Sequence, residues 1–321
     1  MRGWIRLFAG SAILAAGLAT AQPVPVMPPA DMARMAAARA AADALPDSPG
    51  TGPYPAIKTV EPGLPDHVVY LPADLSRLGA RKLGILAWAN GGCSDDAASA
   101  RQHLAEIASH GYVVIAPGSV LSGPGAPPRP AQSAPAPLGI KTTSAQVAAG
   151  IDWALAENSR SGSPLYRRID PALVAVSGHS CGGLQALQLA ADPRVHAVII
   201  HNSGVFTDGG NPIAGIKVDK SLLKTLHTPV LYVMGGTTDV AWPNGTDDFD
   251  KIPVVPAMLL SHDTGHGGTF GQANGGENAQ VAVAWLEWQL RGDPAAAHWF
   301  KGADCRLCTD KAWTVRKKGI D

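Results

Sequence analysis

Ser180 stands at the centre of Gly178-His179-Ser180-Cys181-Gly182, a serine with a glycine two residues away on each side. A serine hydroxyl attacks a carbonyl only when a base takes its proton and a third group orients that base. The chemistry also needs a special turn. Residues Ala172 to Ser177 read as a strand and a helical pattern starts just after Ser180, so the glycines fall where a strand reverses sharply into a helix. Neighbours without side chains allow such a turn, the hydroxyl rises at the strand's carboxyl end, and the helix N-terminus faces a developing oxyanion. A Gly-rich structural turn is the plainer alternative, and the position between strand and helix weighs against it.

In a strand-turn-helix site of this kind both partners of the serine lie downstream. Val230 to Met234 reads as a strand and runs into Gly235-Gly236-Thr237-Thr238-Asp239, which makes Asp239 the candidate acid. Asp247, Asp248 and Asp250 lie further along and read as solvated or capping residues. The candidate base follows the next strand, in Ser261-His262-Asp263-Thr264-Gly265-His266-Gly267-Gly268. His266 is preferred because flanking glycines let its loop approach the serine, whereas His262 sits at the strand end as a packed histidine would.

A tetrahedral intermediate also needs two N–H donors aimed at its oxygen. One is expected from Cys181, and the other from Asn90-Gly91-Gly92-Cys93 after the strand Leu83 to Ala89, with Gly92 ahead of Cys93. Cys93 and Cys181 then flank two donors to one atom, near enough to form a disulfide or to pack as two free thiols. Trp242 and Phe270, with Phe249, are candidate substrate-binding aromatics on the surrounding loops, although they would serve equally to pack those loops. Asn202 and Ser203 face the same crevice. No metal site or cofactor is implied.

These residues need a scaffold that brings strand ends together. Short β-branched runs at His67 to Leu71, Leu83 to Ala89, Tyr112 to Ala116, Ala172 to Ser177, His196 to Ile200, Val230 to Met234 and Val254 to Leu260 alternate with helical patterns. Helices are expected over Asp95 to His110, ending at Gly111, after a Thr143/Gln146 capping box, and over Asn278 to Leu290, ending at Gly292. Continuous apolar strands joined by helices predict an α/β class with a mainly parallel central sheet covered on both faces. Residues 58–321 are read as one domain, with the Pro-rich stretch Gly123 to Leu138 as a long loop within it.

Arg2, Arg6 and the short apolar run Leu7 to Leu18, followed by Ala19-Thr20-Ala21, read as a signal peptide over residues 1–21. An uncleaved anchor is the alternative. Residues 22–57 form a Pro/Ala-rich leader with a short helix expected between Asp31 and Leu45. The four cysteines all lie beyond residue 21, and Cys305-x-x-Cys308 is read as a local disulfide in the C-terminal tail, consistent with a secreted or periplasmic protein. Lys plus Arg and Asp plus Glu both number 26 in 321 residues, with no block of one sign, which argues against nucleic acid as a partner. A small-molecule or polymer ester suits this balance, without stable membrane insertion once the signal is removed.

Over about residues 60–300 the chain resembles the α/β-hydrolase superfamily, especially secreted esterases of the dienelactone hydrolase and polyester hydrolase (cutinase-like) type. Asn90-Gly91-Gly92-Cys93, Gly178 to Gly183, Gly235 to Asp239 and Gly265-His266-Gly267 carry the likeness. The resemblance implies an α/β-hydrolase fold with Ser180 as nucleophile, Asp239 as acid, His266 as base and Gly92 with Cys181 as oxyanion donors. Departures are specific: those polyester hydrolases commonly carry an aromatic residue or Met where this chain has Cys181, and an aromatic residue in the oxyanion loop. Dienelactone hydrolases proper use a cysteine nucleophile. An exported serine carboxylic-ester hydrolase is thus the expectation, with a serine peptidase or amidase, or a non-catalytic binding protein on the same fold, as alternatives.

Overall fold

Leu83–Ala89 is apolar throughout and buried throughout. Leu83, Ile85 and Ala87 enter one apolar cluster while Leu86 and Trp88 enter another on the opposite side. Only a strand covered on both faces has this pattern. In the computed structural model, which describes residues 29–128, 139–207, 210–253 and 255–321, it is the third strand of a nine-stranded sheet. The signal peptide, the first residues of the leader, the 129–138 part of the Pro-rich loop and Val254 lie outside the described residues.

The strands are β1 (Ala56–Glu61), β2 (Leu64–Pro72), β3 (Leu83–Ala89), β4 (Tyr112–Pro117), β5 (Ile169–His179), β6 (Ala197–His201), β7 (Val230–Met234), β8 (Ala257–Ser261) and β9 (Thr314–Lys318). Their spatial order is β1-β2-β4-β3-β5-β6-β7-β8-β9. β3 to β8 run parallel, β1 and β2 form an antiparallel hairpin beside β4, and β9 closes the far edge antiparallel to β8. The mainly parallel sheet expected from the alternation is therefore present, with antiparallel edges added. Since β4 and β5 lie on opposite sides of β3, the chain changes direction across the sheet there. The carboxyl ends of β3 and β5 flank the crevice that such a reversal opens.

Helices α2 (Arg101–Ser109) and α6 (Gly276–Arg291) cover one face, through Leu104, Ile107, Trp285 and Leu286. Helices α3 (Ser144–Ser159), α4 (Cys181–Leu189) and α5 (Trp242–Lys251) cover the other, through Ile151, Leu187 and Phe249. The Thr143/Gln146 capping box is formed at α3, and Gly292 ends α6 in the left-handed region at φ 68°. The Asp95 to His110 helix is shorter than expected. Asp96 turns its carboxylate back onto the Ala98 N–H, so residues before Arg101 form a turn and only α2 is helical.

Within the leader, α1 (Pro29–Ala44) matches the expected Ala-rich helix, and the segment after it is tied to the domain. Arg101 donates to the carbonyls of Ala42 and Leu45, and Glu106 accepts from the N–H and hydroxyl of Thr51. β1 begins at Ala56, inside the segment read as leader, and pairs with β2. Two short helices, α7 (Pro294–Ala297) and α8 (Arg306–Thr309), lead to β9. Cys305 and Cys308 are disulfide-bonded at α8. Among the described residues, no helix is long and apolar enough to cross a membrane.

Candidate active site

β5 delivers Ser180 to the sheet's carboxyl edge through a turn that only its glycines permit. A Cβ on Gly178 would overlap the Gly182 carbonyl, and one on Gly182 would overlap the Ala89 carbonyl of the neighbouring strand. Ser180 itself has φ 53° and ψ −123°, a conformation that costs a non-glycine residue about 1–3 kcal/mol and persists only under restraint. Its N–H donates to the His201 carbonyl (3.0 Å), and its carbonyl accepts from the Ser203 hydroxyl (2.6 Å) and the Gly183 N–H (2.8 Å). The Ser180 side chain does not cap α4, which leaves its Oγ turned toward the crevice.

There it meets His266. Nε2 of His266 is 2.9 Å from Ser180 Oγ, and its Nδ1 is 2.7 Å from Asp239 Oδ1. Since a carboxylate only accepts, Nδ1 carries the hydrogen and Nε2 presents its lone pair to the serine hydroxyl. Asp239 follows β7 and is buried (2% exposed). Burial pushes its carboxyl up. His266, the Ala241 N–H (2.9 Å) and the Asn202 amide (2.8 Å) outweigh that and hold it below the usual carboxylate range, and the Gly235 N–H (3.2 Å) donates to it as well. It is therefore ionised at neutral pH.

Gly91–Cys93 forms a single 3-10 turn after β3, anchored by Asn90, whose side-chain amide donates to the carbonyls of Ser94 and Pro117. The Cys93 N–H is spent on the Asn90 carbonyl (3.0 Å), whereas Gly92 (φ 64°) is exposed at the crevice. This favours Gly92 over Cys93 as the donor from this loop. Cys181 opens α4, so its N–H belongs to the unpaired first turn of that helix. The two loops are locked together by a disulfide between Cys93 and Cys181, with Cα atoms 5.3 Å apart. The bridge, rather than two free thiols, is what the structure holds.

Packing, the alternative weighed for the surrounding aromatics, is the arrangement found around the site. Phe270 is 6% exposed and packs its ring against His179, His103, His201 and Trp88, so it supports the site from below instead of lining a substrate surface. Phe249 is likewise buried, under Arg316 and Lys318. Trp242 is half-buried at the start of α5 and packs on the core. The segment carrying Asp247, Asp248 and Asp250 is helix α5 and not a loop. Asp248 is fully buried, accepting from the Val205 N–H (2.8 Å), the Tyr232 hydroxyl (3.1 Å) and Lys220 (2.6 Å). Burial pushes its carboxyl up to about 6 against the pull of those donors. His262 lies away from Ser180, facing Glu277 (2.7 Å) and the Trp313 ring.

Asn202, which the sequence places only at the crevice, bonds to both neighbouring loops. Its side-chain amide joins Asp239 Oδ2 to the Gly265 carbonyl (3.1 Å), linking Asp239 to the loop of His266. The signal available was its place just after β6 at the carboxyl edge; its left-handed φ of 45° is one that Asn tolerates better than most residues. Among the described residues, no group of three or more His, Cys, Asp or Glu could hold a metal ion. Neither a scan against protein-family models nor a search of curated proteins finds a match to this chain.

Proposed function

We propose that the chain is an exported serine hydrolase of the α/β-hydrolase type that cleaves carboxylic esters. The observation that carries this reading is the hydrogen-bonded row Ser180 Oγ, His266 Nε2, His266 Nδ1, Asp239 Oδ1, with gaps of 2.9 and 2.7 Å. Its members follow three different strand ends, and a strained serine at its head supports function over packing. The departure in the oxyanion loop, Gly92-Cys93 in place of an aromatic residue, favours a general ester substrate over a polymer.

The reaction follows from the geometry. His266 takes the proton of Ser180 as Oγ attacks the ester carbonyl, and Asp239 stabilises the imidazolium that forms. The N–H groups of Gly92 and Cys181, with the N-terminus of α4, bind the oxyanion. His266 then protonates the leaving alkoxide, and an acyl group remains on Oγ. Water, deprotonated by His266, attacks that acyl group and regenerates the serine. Two disulfides support an oxidising compartment for the folded chain.

A fluorophosphonate probe tests the site directly. Labelling of Ser180, absent in Ser180→Ala, together with turnover of short-chain nitrophenyl esters is the expected result. Folded protein that is not labelled would remove the hydrolase reading, and faster cleavage of matched anilides would replace esterase by amidase.

A further inference from the structure

The loop that carries His266 has little structure of its own. Residues 262–268 lie beyond β8, and Gly265 and Gly268 both adopt positive φ. Its position over Ser180 therefore depends on bonds from outside. Gly265 N–H donates to the Gly235 carbonyl (2.7 Å), and the Gly265 carbonyl accepts from Asn202 (3.1 Å). The next carbonyl, that of His266 itself, accepts from Nε2 of His179 at 2.7 Å. We propose that His179 is a positioning residue, whose Nε2–H holds the main chain of His266 and thereby sets the imidazole at bonding distance from Ser180. The proposal rests on the serine-hydrolase reading.

His179 is built to hold a point in space. It is the last residue of β5, in register with His201 of β6, next to the serine whose proton His266 takes. Its ring is wedged between Phe270, 4.9 Å away between centroids, and the turn at Gly91, where a Cβ would press on Nδ1 of the imidazole. A carbonyl only accepts, so the bond requires the tautomer with hydrogen on Nε2. The donor is therefore rigid, directed and attached to the same strand end as Ser180. Movement of the elbow would carry the base with it, keeping the pair in register.

Charge matters as much as reach. The rings of His179 and His266 are 5.3 Å apart, and in the proposed reaction His266 must accept a proton. A second cation at that distance would oppose it. Burial, reinforced by His266, pushes His179 down to about 4, so it is uncharged at neutral pH. The other ionisable groups facing it are Asp239, whose charge acts in the opposite sense, and the buried His201 and His103, which are themselves pushed down by burial. Lys or Arg could donate to the same carbonyl but would bring a permanent charge. A neutral imidazole supplies the bond alone.

A purely packing role predicts that any flat ring suffices at 179. His179→Phe keeps the ring and removes the donor; His179→Gln places an amide near the position of Nε2; His179→Asn offers the same amide one methylene short. With the full-length oxidised protein and a nitrophenyl ester, His179→Phe and His179→Asn are expected to lose about 10- to 100-fold in kcat with KM within about twofold. Fluorophosphonate labelling of Ser180 should slow in parallel, and His179→Gln should recover most of both rates. Should His179→Phe fail to fold, the Gln and Asn pair decides. Wild-type kcat in His179→Phe, or equal loss in Gln and Asn, overturns the positioning role. Ser180→Ala, run beside them, separates the two failures: turnover surviving in Ser180→Ala overturns the hydrolase reading and this proposal together, while an inactive Ser180→Ala with unimpaired His179 variants overturns only the proposal.

Discussion

Cutting the bridge between Cys93 and Cys181 should cost far more than cutting the one between Cys305 and Cys308. The first joins residues 88 apart in sequence and the second joins residues 3 apart. In the chain-entropy account, closing the longer loop removes about 15 cal/mol/K from the unfolded chain, or about 4.6 kcal/mol at 25 °C, against about 1.6 kcal/mol for the shorter. Cys93, Cys181 and Cys305 are buried and Cys308 is half-buried, so the packing lost on truncation to Ala is somewhat larger for the first pair and acts in the same direction as the entropy. For a chain of 321 residues the difference of about 3 kcal/mol amounts to roughly 4 to 5 °C in Tm. Thermal unfolding of Cys93→Ala/Cys181→Ala and Cys305→Ala/Cys308→Ala under non-reducing conditions reads it. The long-range variant should also lose about tenfold in ester turnover, less than the loss of one oxyanion donor outright, because the bridge only braces two donors. Equal Tm losses in the two variants would refute the entropic argument. Unchanged turnover in the first would refute the bracing.

Ser180→Ala should abolish ester turnover while leaving Tm close to wild type; full activity would remove Ser180 from the chemistry. Asp239→Asn should lower kcat by about 10⁴, since an amide can hold the imidazole in the wrong tautomer, and steady-state assays would expose a milder effect. His266→Ala should match Ser180→Ala in activity, whereas His262→Ala, which touches Glu277 and Trp313, should move only stability; the reverse would move the base. Asp248, held up at about 6 when folded against about 4 when unfolded, binds more protons in the native state across that window. Its contribution to stability is therefore present at low pH and lost as pH rises through about 6, by about 3 kcal/mol. Urea unfolding from pH 4 to 7 should show this slope in the wild type and not in Asp248→Asn.

The residues read from sequence and those missed differ in how local their causes are. The turn around Ser180 announces itself, because close backbone approach demands glycine at both Gly178 and Gly182, and both demands fall within five residues. Asp239 and His266 are nearly as legible, since each directly follows a strand of continuous apolar residues, and every such strand ends at the same edge of a parallel sheet. β9 is different. Thr-Val-Arg-Lys-Lys has no apolar alternation, and it is a strand only because β8 offers it an open edge, where lysine is well tolerated. Helix α5 hides for a related reason: Trp-Pro-Asn-Gly-Thr-Asp-Asp-Phe-Asp-Lys reads as a loop until Lys220, Tyr232 and Val205 come together around Asp248.

The same distinction separates the hydrogen-bonded row from the residues that hold it. Ser180, His266 and Asp239 are each the residue type the proposed chemistry requires, so type and place in the chain suffice to single them out. Asn202 and His179 act through bonds to main-chain carbonyls, and any donor of the right reach would serve in principle. Their identity is narrowed only by surroundings distant in sequence: a left-handed backbone at 202 and, at 179, the neighbouring imidazole of His266, which takes a proton in the proposed reaction. A site's reacting groups are thus selected by chemistry and its positioning groups by geometry and charge. That is why substitutions at 179 and 202 test the arrangement of the site more sharply than substitutions within the row, where a change would remove a group of the proposed reaction itself and would not report on distance.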